Sequence, residues 1–512
     1  MATAPQKQTA SKTAAADSVL EQAIGATKQT ERSRAEELLR ALAEQAMQGT
    51  VTWDRNLSKT IKDAVKKIDE AVSNQLREIV HDANFLKLEG TWRGVYHVVE
   101  KTANDPEQKV KLFSASKSEV YKDLSKSLEF DQNEMFKKVY EDEFGTPGGE
   151  PYSTLIGDYE FTNHPEDIEF LSRMSEVAAA SFCPFISSID FDFLGFDNWN
   201  ELSKPKDLAR ITDSSEYTKW RSFREKEESR FVTLTMPRVL ARDPYSPKTY
   251  RSDEITFTEV ELDAKGKSKA LDHGQYCWMN AAYVLAGKMN ESFEAHGWPT
   301  AMRGAEAGGK VQGLPTHTFK TDDGDIDMKC PTEVAITDRR EAELSNMGFL
   351  PLSHYKNTDY AVFFGAQTAH KPGNYEDADA RANDEIASRL PYNLIAARIA
   401  HYLKVIARDK IGSMVEANDI QQYLQKWIVK FSNSNSANAQ HLRYKYPLAE
   451  AKVEVNEVEG SPGSYNAVAW IKPWLALEEL STSIRLVASI PSSGESADEG
   501  GEGGDDAGGD ED

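Results

Sequence analysis

The 512-residue chain has three cysteines, Cys183, Cys277 and Cys330, and no CxxC pair. An odd, sparse set cannot build a disulfide framework and points to a reducing compartment, the cytosol. Long hydrophobic runs are missing too. No stretch approaches the ~20 apolar residues that span a bilayer, so direct membrane insertion is not expected. The N-terminus, MATAPQKQTASKTAAADS, has no apolar signal core. Positive charge is scarce: 60 Lys and Arg stand against 83 Asp and Glu, a net charge of −23. Nine of those acids lie after residue 490 in an acidic tail without a base, leaving −14 for the rest. Such a surface repels nucleic acid, and no nucleic-acid partner is expected.

Enzyme signatures are equally thin. There is no HExxH, no GxSxG and no GxGxxG after a strand. Two stretches come close. In GLPTHTFKTDDGDIDMKCPTE (313–333), Asp323, Asp325 and Asp327 match positions 1, 3 and 5 of a calcium loop. Position 6, which must turn sharply, is Met328, and position 12, which should be a bidentate Glu, is Val334. His317 and Cys330 lack companions at zinc spacing. A hairpin accounts for more residues: Asp323-Gly324 turns the chain, and Ile326, Met328 and Cys330 alternate with Asp325, Asp327 and Lys329. The first set is expected to point inward. Upstream, GAEAGGKV (304–311) fits GxxxxGK, but Val311 has no oxygen for Mg²⁺, and QGLP starts no helix. A metal- or nucleotide-dependent enzyme built on 304–333 is therefore the weaker alternative, and no cofactor or metal is expected.

Other chemical candidates have bland readings. His164, His354 and His401 stand singly. Glu166, Asp167 and Glu169 suit the first turn of a helix. Arg221, Arg224 and Arg230 are expected to pair with Glu225, Glu227 and Glu228.

The pattern along the chain is mixed α/β. Residues 1–17 read as disordered. A short apolar helix is expected over 18–27 and an amphipathic one over 31–47. Residues 49–55, GTVTWDR, alternate as a strand with Val51 and Trp53 on one face. Helices are expected over 58–82, 165–182, 216–228 and 275–296, the last closed by Gly297, and over 385–410 and 417–431. Strands are expected over 95–100, 110–115, 231–236, 452–458, 465–471 and 483–490. In the last, Ile484, Leu486, Ala488 and Ile490 share a face. The polar stretch KPGNYEDADARAND (371–384) reads as a domain boundary. A strand on an extended arm cannot satisfy its own backbone and needs a sheet edge to join, so terminal strands suggest augmentation between copies.

Five blocks carry a family resemblance: FLKLEGTWRGVYHVVE, FGTPGGEPYSTLIGDYEF, KWRSFREKEESRFVTLTMPRVLARDPY, GLPTHTFKTDDGDIDMKCPTEVAITDRREAELSNMGFLPL and HYLKVIARDKIGS. Over residues 18–491 the chain resembles the large subunit of the type VI secretion contractile sheath, the TssC/VipB family. The resemblance implies a non-enzymatic structural protein of phage tail sheath-like, multidomain α+β (mixed α/β) fold. It implies a small sheath subunit (TssB/VipA type) as partner, and self-assembly into a helical tube around an inner tube (Hcp type). It also implies assembly in the cytoplasm on a membrane-anchored baseplate, contraction that expels the inner tube with its effectors, and disassembly by a ClpV-type AAA+ unfoldase.

Carried onto this sequence, the resemblance makes residues 1–57 an N-terminal arm. The unfoldase-binding helix lies within it over 18–27, through Ser18, Val19, Leu20, Glu21, Gln22 and Ile24. Ala23 is smaller than the apolar residue usual there. Residues 58–372 form a large N-terminal region that docks the small subunit, 385–490 a C-terminal tail-sheath domain, and 491–512 a disordered acidic tail. Strands carrying Val51, Trp53, Val453, Val455, Val468, Trp470, Ile484 and Leu486 are expected to interlace neighbouring protomers. A sheath of another contractile injection particle is the nearest alternative within this class.

Overall fold

A computed structural model describes residues 57–102, 105–127, 129–204, 207–247, 250, 257–260, 271–321, 325–410, 417–433, 440–457 and 465–474, with residue 37. Two long helices open it, α1 (Leu57–Val80) and α2 (Ala83–Thr102). A third, α3 (Lys117–Lys126), starts in a capping box between Ser116 and Glu119, which satisfies two otherwise orphaned amides.

A six-stranded sheet follows: β1 (Leu155–Phe161), β2 (Phe185–Ile189), β3 (Val232–Met236), β6 (Lys310–Val311), β9 (Phe349–His354) and β10 (Ala361–Phe363). Its order is β1-β2-β3-β9-β10-β6. The first four strands run parallel, and β10 and β6 are antiparallel. Every residue of β2 and β3 is buried, as a parallel sheet covered on both faces requires. Of the polar residues this buries, Ser187, Ser188 and Thr235 donate to backbone carbonyls, while the Thr233 hydroxyl has no partner among the described residues. The hydroxyl of Ser187 donates to the carbonyls of Gly157 and Tyr159, both at 2.8 Å, where the β1–β2 register slips.

One face is covered by α4 (Pro165–Ser181), whose Ile168, Leu171, Met174 and Val177 join Val232, Leu234 and Phe349. Helix α4 begins at Pro165 with His164 as N-cap and ends at Phe182 in the left-handed conformation, φ 51°. Trp220, within the short helix Thr218–Arg224, stacks on Phe349 at 5.5 Å. The other face is covered by α5 (Ala281–His296), through Ala282, Val284, Leu285 and Met289. Gly297 closes α5 at φ 77°. A two-stranded ribbon, β4 (Val239–Leu240) with β5 (Trp278–Met279), lies against α2.

The hairpin of β7 (Thr318–Lys320) and β8 (Ile326–Met328) comes next, followed by α6 (Asp338–Asn346). The chain then forms α7 (Ala378–Ala387), α8 (Leu390–Lys410), α9 (Ala417–Ile428), β11 (Leu448–Glu457) and β12 (Tyr465–Pro473). Ile395, Ile399, Leu424, Ile428, Leu448, Val453 and Val455 form a separate apolar cluster there.

Several expected elements are corrected. Residues 95–100 are not a strand but the last turns of α2. The buried stripe of α2 is Leu86, Gly90, Gly94 and Val98, every fourth residue. Two of its members are glycines, so the helical period is invisible to a hydropathy count. A Cβ on Gly90 would lie 2.2 Å from the Trp278 carbonyl oxygen, and one on Gly94 2.1 Å from the Tyr283 ring. Residues 110–115 are extended but pair with no strand among the described residues; Lys111 is tied instead to Glu143 at 2.5 Å.

The helix expected over 216–228 shrinks to Thr218–Arg224 between short 3₁₀ turns. The helix expected from residue 275 starts at Ala281, where the Asn280 side chain accepts from the Ala282 amide. The helix expected over 385–410 is broken at Ser388 and Arg389, and α7 occupies much of the presumed polar loop. Asp384 ties that loop down, accepting from the Gly373 amide at 2.7 Å and meeting His370 Nε2 at 2.9 Å. Of the hairpin's presumed inward face, Ile326 is 74% exposed, while Met328 and Cys330 are half-buried. The hairpin projects beyond the core, so its alternation does not sort inside from outside.

A buried ion cluster fixes α2. Glu89 Oε1 accepts from Arg93 Nε at 2.8 Å, Arg242 Nε at 2.7 Å and the Tyr245 hydroxyl at 2.7 Å. Arg242 also donates to Glu259 at 2.6 Å, and both are buried. Burial pushes the Glu89 carboxyl up, but its hydrogen bonds to Arg242, Tyr245 and Arg93 outweigh this and hold it at about 2. A carboxylate depressed by the fold contributes stability above its unfolded value, about 4.3, and loses it as pH falls toward 2. Urea unfolding should show Arg242→Met less stable by about 3–5 kcal/mol, because the buried Glu259 and the half-buried Glu89 each lose their guanidinium partner in that position. Between pH 4.5 and 2 the parent should lose more stability than Glu89→Gln does. Equal acid slopes would remove Glu89 from the hold.

Candidate functional site

The residues that most resemble an enzyme site are engaged in holding the fold. The His317 ring meets the Tyr276 hydroxyl at 3.0 Å through Nδ1. Glu333 is buried and takes two bonds from Arg238, at 2.8 and 2.6 Å, and one contact from His273 at 3.0 Å. Cys330 lies 3.2 Å from the Thr332 hydroxyl. Burial pushes its thiol up, but hydrogen bonds to His354 and Thr332 together outweigh that and hold it below its ordinary value. Asp325 and Asp327 flank the start of β8, and Asp323 lies outside the described residues. Among the described residues no group of three or more His, Cys, Asp or Glu is placed to hold a metal.

The glycine-rich loop serves close packing. A Cβ on Gly308 would meet the Ala301 carbonyl oxygen at 2.1 Å, and one on Gly309 the Phe363 carbonyl oxygen at 2.5 Å. Lys310, the lysine of the phosphate-loop pattern, sits over the Tyr360 ring at 3.8 Å. The loop leads into β6 and not into a helix N-terminus.

Of the three arginines, one keeps the expected pairing and two depart from it. Arg230 meets Glu227 at 3.5 Å. Arg221 donates to the carbonyls of Thr212 and Ser214. Arg224 is buried and donates to the Ala369 carbonyl at 2.9 Å; burial lowers its pKa to about 10. His401 is a core histidine: it meets the Ser181 carbonyl at 2.9 Å, and burial lowers it to about 4.

What the described residues do present is exposed apolar surface. Opposite its glycine seam, α2 carries Leu88, Trp92, Tyr96 and Val99 on one stripe, with Trp92 59% and Tyr96 66% exposed. Helix α1 carries Val65, Ile68, Val72 and Ile79 on a stripe of its own, and Ile68 is 62% exposed. The extended segment adds Val110, Leu112 and Phe113. A helix apolar on both sides is ordinarily covered on both. Exposed apolar residues in such numbers mark an interaction surface, whereas scattered single ones do not.

The sequence reading missed this surface by taking the second half of α2 for a strand. The signal was present in the four-residue spacing of Leu88, Trp92 and Tyr96. The C-terminal hairpin shows a second surface. Strands β11 and β12 pair antiparallel, with Glu454 opposite Val468 and Lys452 opposite Trp470. Val453 and Val455 are buried toward α9, while Val468 and Trp470 are exposed on the other face. The hairpin thus brings these four residues together on opposite faces. Ser18, Val19, Leu20, Glu21, Gln22, Ile24, Val51, Trp53, Ile484 and Leu486 lie outside the described residues.

A family model described as "EvpB/VC_A0108, tail sheath N-terminal domain" matches residues 62–370. A second, "EvpB/VC_A0108, tail sheath gpW/gp25-like domain", matches residues 379–490. The type VI secretion system sheath protein TssC1 of Pseudomonas aeruginosa is 46% identical over 471 residues, covering 91% of this chain and 93% of that protein. The chain belongs to the VipB/TssC family of type VI secretion sheath proteins. This is a family of structural tail-sheath proteins, and the mixed α/β fold is its sheath fold.

Fainter likeness extends to solved contractile particles. The anti-feeding prophage baseplate has a chain 12% identical with TM-score 0.32, covering 73% of this chain and 82% of that one. The contracted sheath of the extracellular injection system PVC has one 10% identical with TM-score 0.31, covering 62% and 68%. Among the described residues of this sheath protein, no helix is long and apolar enough to cross a membrane.

The two sides of α2 should respond differently to substitution. Gly94→Val forces a side chain into the Tyr283 ring and should cost about 1–3 kcal/mol in urea unfolding of the isolated chain. Trp92→Ser removes a larger side chain yet should change stability by no more than about 0.5 kcal/mol. A large loss from Trp92→Ser would mean that the chain itself covers this face.

Proposed function

We propose that this chain is the large subunit of a type VI secretion sheath, and that it pairs with a small sheath subunit of TssB/VipA type through the exposed faces of α1 and α2. The observation that carries the reading is the exposed stripe Leu88, Trp92 and Tyr96, on a helix already fully packed on its other side. The 46% identity to a sheath protein supports it. The heterodimers then stack helically around an inner tube of Hcp type, starting on a membrane-anchored baseplate in the cytoplasm. Residues 1–57 act as an arm, 58–372 as the region that docks the small subunit, and 385–490 as the domain that links protomers.

In this reading strands containing residues 49–55 and 483–490 join the β11–β12 hairpin of neighbouring protomers. Val51, Trp53, Ile484 and Leu486 lie on these arms. Val453, Val455, Val468 and Trp470 belong to the acceptor. Backbone pairing holds neighbours together while rigid bodies turn, which suits a sheath with an extended and a contracted packing. Contraction drives the inner tube and its effectors outward. Residues 18–24 then engage a ClpV-type AAA+ unfoldase that dismantles the contracted sheath. The helix must be hidden until contraction, or unused sheath would be taken apart.

Co-expression with the small subunit and electron microscopy should show tubes. Leu88→Asp with Trp92→Asp should leave the large chain folded but abolish co-purification of the small subunit. Retained pairing would place the small subunit elsewhere. Leu20→Asp should leave tubes intact and stop their disassembly by the unfoldase, and disassembly at the parent rate would exclude Leu20 from the contact.

A further inference from the structure

Lys329, which follows β8 directly, is a half-buried lysine with no carboxylate paired to it among the described residues. Its backbone amide donates to the His317 carbonyl at 2.8 Å, which fixes the strand end against the segment before β7. Its Nζ lies over the rings of Tyr276 and Trp278, 5.1 and 5.6 Å from their centroids. Both rings are buried. The hydrogen-bond partner of Nζ is Nδ1 of His273, at 3.2 Å.

An ammonium can only donate, so Nδ1 of His273 accepts and the imidazole proton sits on Nε2. That proton faces Glu333 Oε1, 3.0 Å away. Glu333 is fixed in turn by its two bonds from Arg238. The backbone of His273 is pinned by the Trp278 indole, which donates through Nε1 to the His273 carbonyl at 3.2 Å. An amine, a base hydrogen-bonded to it and a carboxylate that orients the base thus stand in line. This is the arrangement that activates a nucleophile. Burial lowers the pKa of the Lys329 ammonium, against the opposing pull of Cys330 and Glu333. The His273 side chain is 39% exposed, which opens the cluster to small solutes.

We propose that Lys329 is an acylation site, whose Nζ takes an acyl group from a small activated donor, an acyl phosphate or an acyl thioester, with His273 as the base. The site does not depend on the sheath reading above. The Lys329 ammonium passes one proton to His273 Nδ1 and becomes a free amine. Nζ then attacks the acyl carbonyl carbon. A C–N bond forms, and the C–O bond to phosphate or the C–S bond to the thiolate breaks. The leaving group departs with the bonding pair, and Nζ gives a second proton to solvent as the amide forms. The His273 imidazolium, facing the Glu333 carboxylate, returns the first proton to water. The acylated lysine keeps one N–H but no charge, so it loses its attraction to the faces of Tyr276 and Trp278.

The test treats the full-length chain at neutral pH with acetyl phosphate in one arm and acetyl-coenzyme A in the other, and follows each lysine by mass spectrometry. Lys329 should be acetylated faster than Lys66, whose side chain is 76% exposed and paired with Glu70. Access alone would give the opposite order. His273→Gln keeps an acceptor for Lys329 and a donor for Glu333 but removes the base. It should slow acetylation of Lys329 about tenfold or more and leave Lys66 unchanged. Lys329→Arg, which keeps the cation, should remove the signal from this peptide.

Loosening of the fold cannot imitate this result, because a freed Lys329 would gain access and a fall in its rate would not follow. Acetylation by acetyl phosphate alone would assign acyl phosphates as the source, and by acetyl-coenzyme A alone the thioesters. Either keeps the site. Acetylation of Lys329 no faster than that of Lys66 with both donors would overturn it. A His273→Gln chain that acetylates Lys329 at the parent rate would overturn the role of His273, and with it the nucleophile arrangement.

Discussion

The close seat of α2 is the constraint on which the rest of the structure depends. Gly90 and Gly94 let its backbone reach Trp278 and Tyr283, and no side chain could replace them without moving those groups. Because two of the four seam residues are glycine, α2 gains apolar burial there only through Leu86 and Val98. Polar and ionic ties supplement it: Glu89 to Arg242, Arg93 and Tyr245, and Lys101 to Glu291 at 2.7 Å. The large apolar residues of α2 are left on the outside. One geometric requirement therefore produces both a tightly fixed helix and an uncovered aromatic stripe.

The C-terminal hairpin obeys a different rule. Every backbone amide and carbonyl taken from water needs a partner. Along β11 that demand is met within the chain by Gln421, Gln425 and Asn433. Along β12 no partner meets it among the described residues. The two surfaces thus differ in physical kind. The α1–α2 face offers area without direction, while the hairpin edge offers direction and register with little area.

Legibility followed the same division. Where burial and hydropathy coincide the sequence could be read directly: α4 from Pro165, α5 to its Gly297 cap, β3 over Val232–Met236, and the pair β11 and β12. It misled where the buried residue was glycine, as in α2, and where an alternating segment had no core beneath it, as in Ile326. The near-miss motifs failed for reasons visible in single residues, Met328 and Val334 for calcium and Val311 for a phosphate loop. The bonds of Gln421 and Gln425 to β11 could not be foreseen. Gln421 and Gln425 look like ordinary polar helix positions until β11 is laid beside them. The family blocks were legible because they run through the sheet and the α2 seam, where packing leaves few choices.

A contracting polymer has to keep some contacts while it changes others. Apolar faces such as that of α1 and α2 lose their stabilisation if they slide apart, because water enters the gap. They suit a pairing that stays fixed within the repeating unit. A strand joined to an edge keeps its bonds while the chain leading to it bends, since the hydrogen bonds are local to the ladder and the linker carries the strain. On the proposed assignment the small subunit takes the first kind of surface and the neighbouring copy takes the second. Along the hairpin, side chains of α9 already occupy the β11 edge, so on the strand-exchange reading a neighbour's strand meets β12.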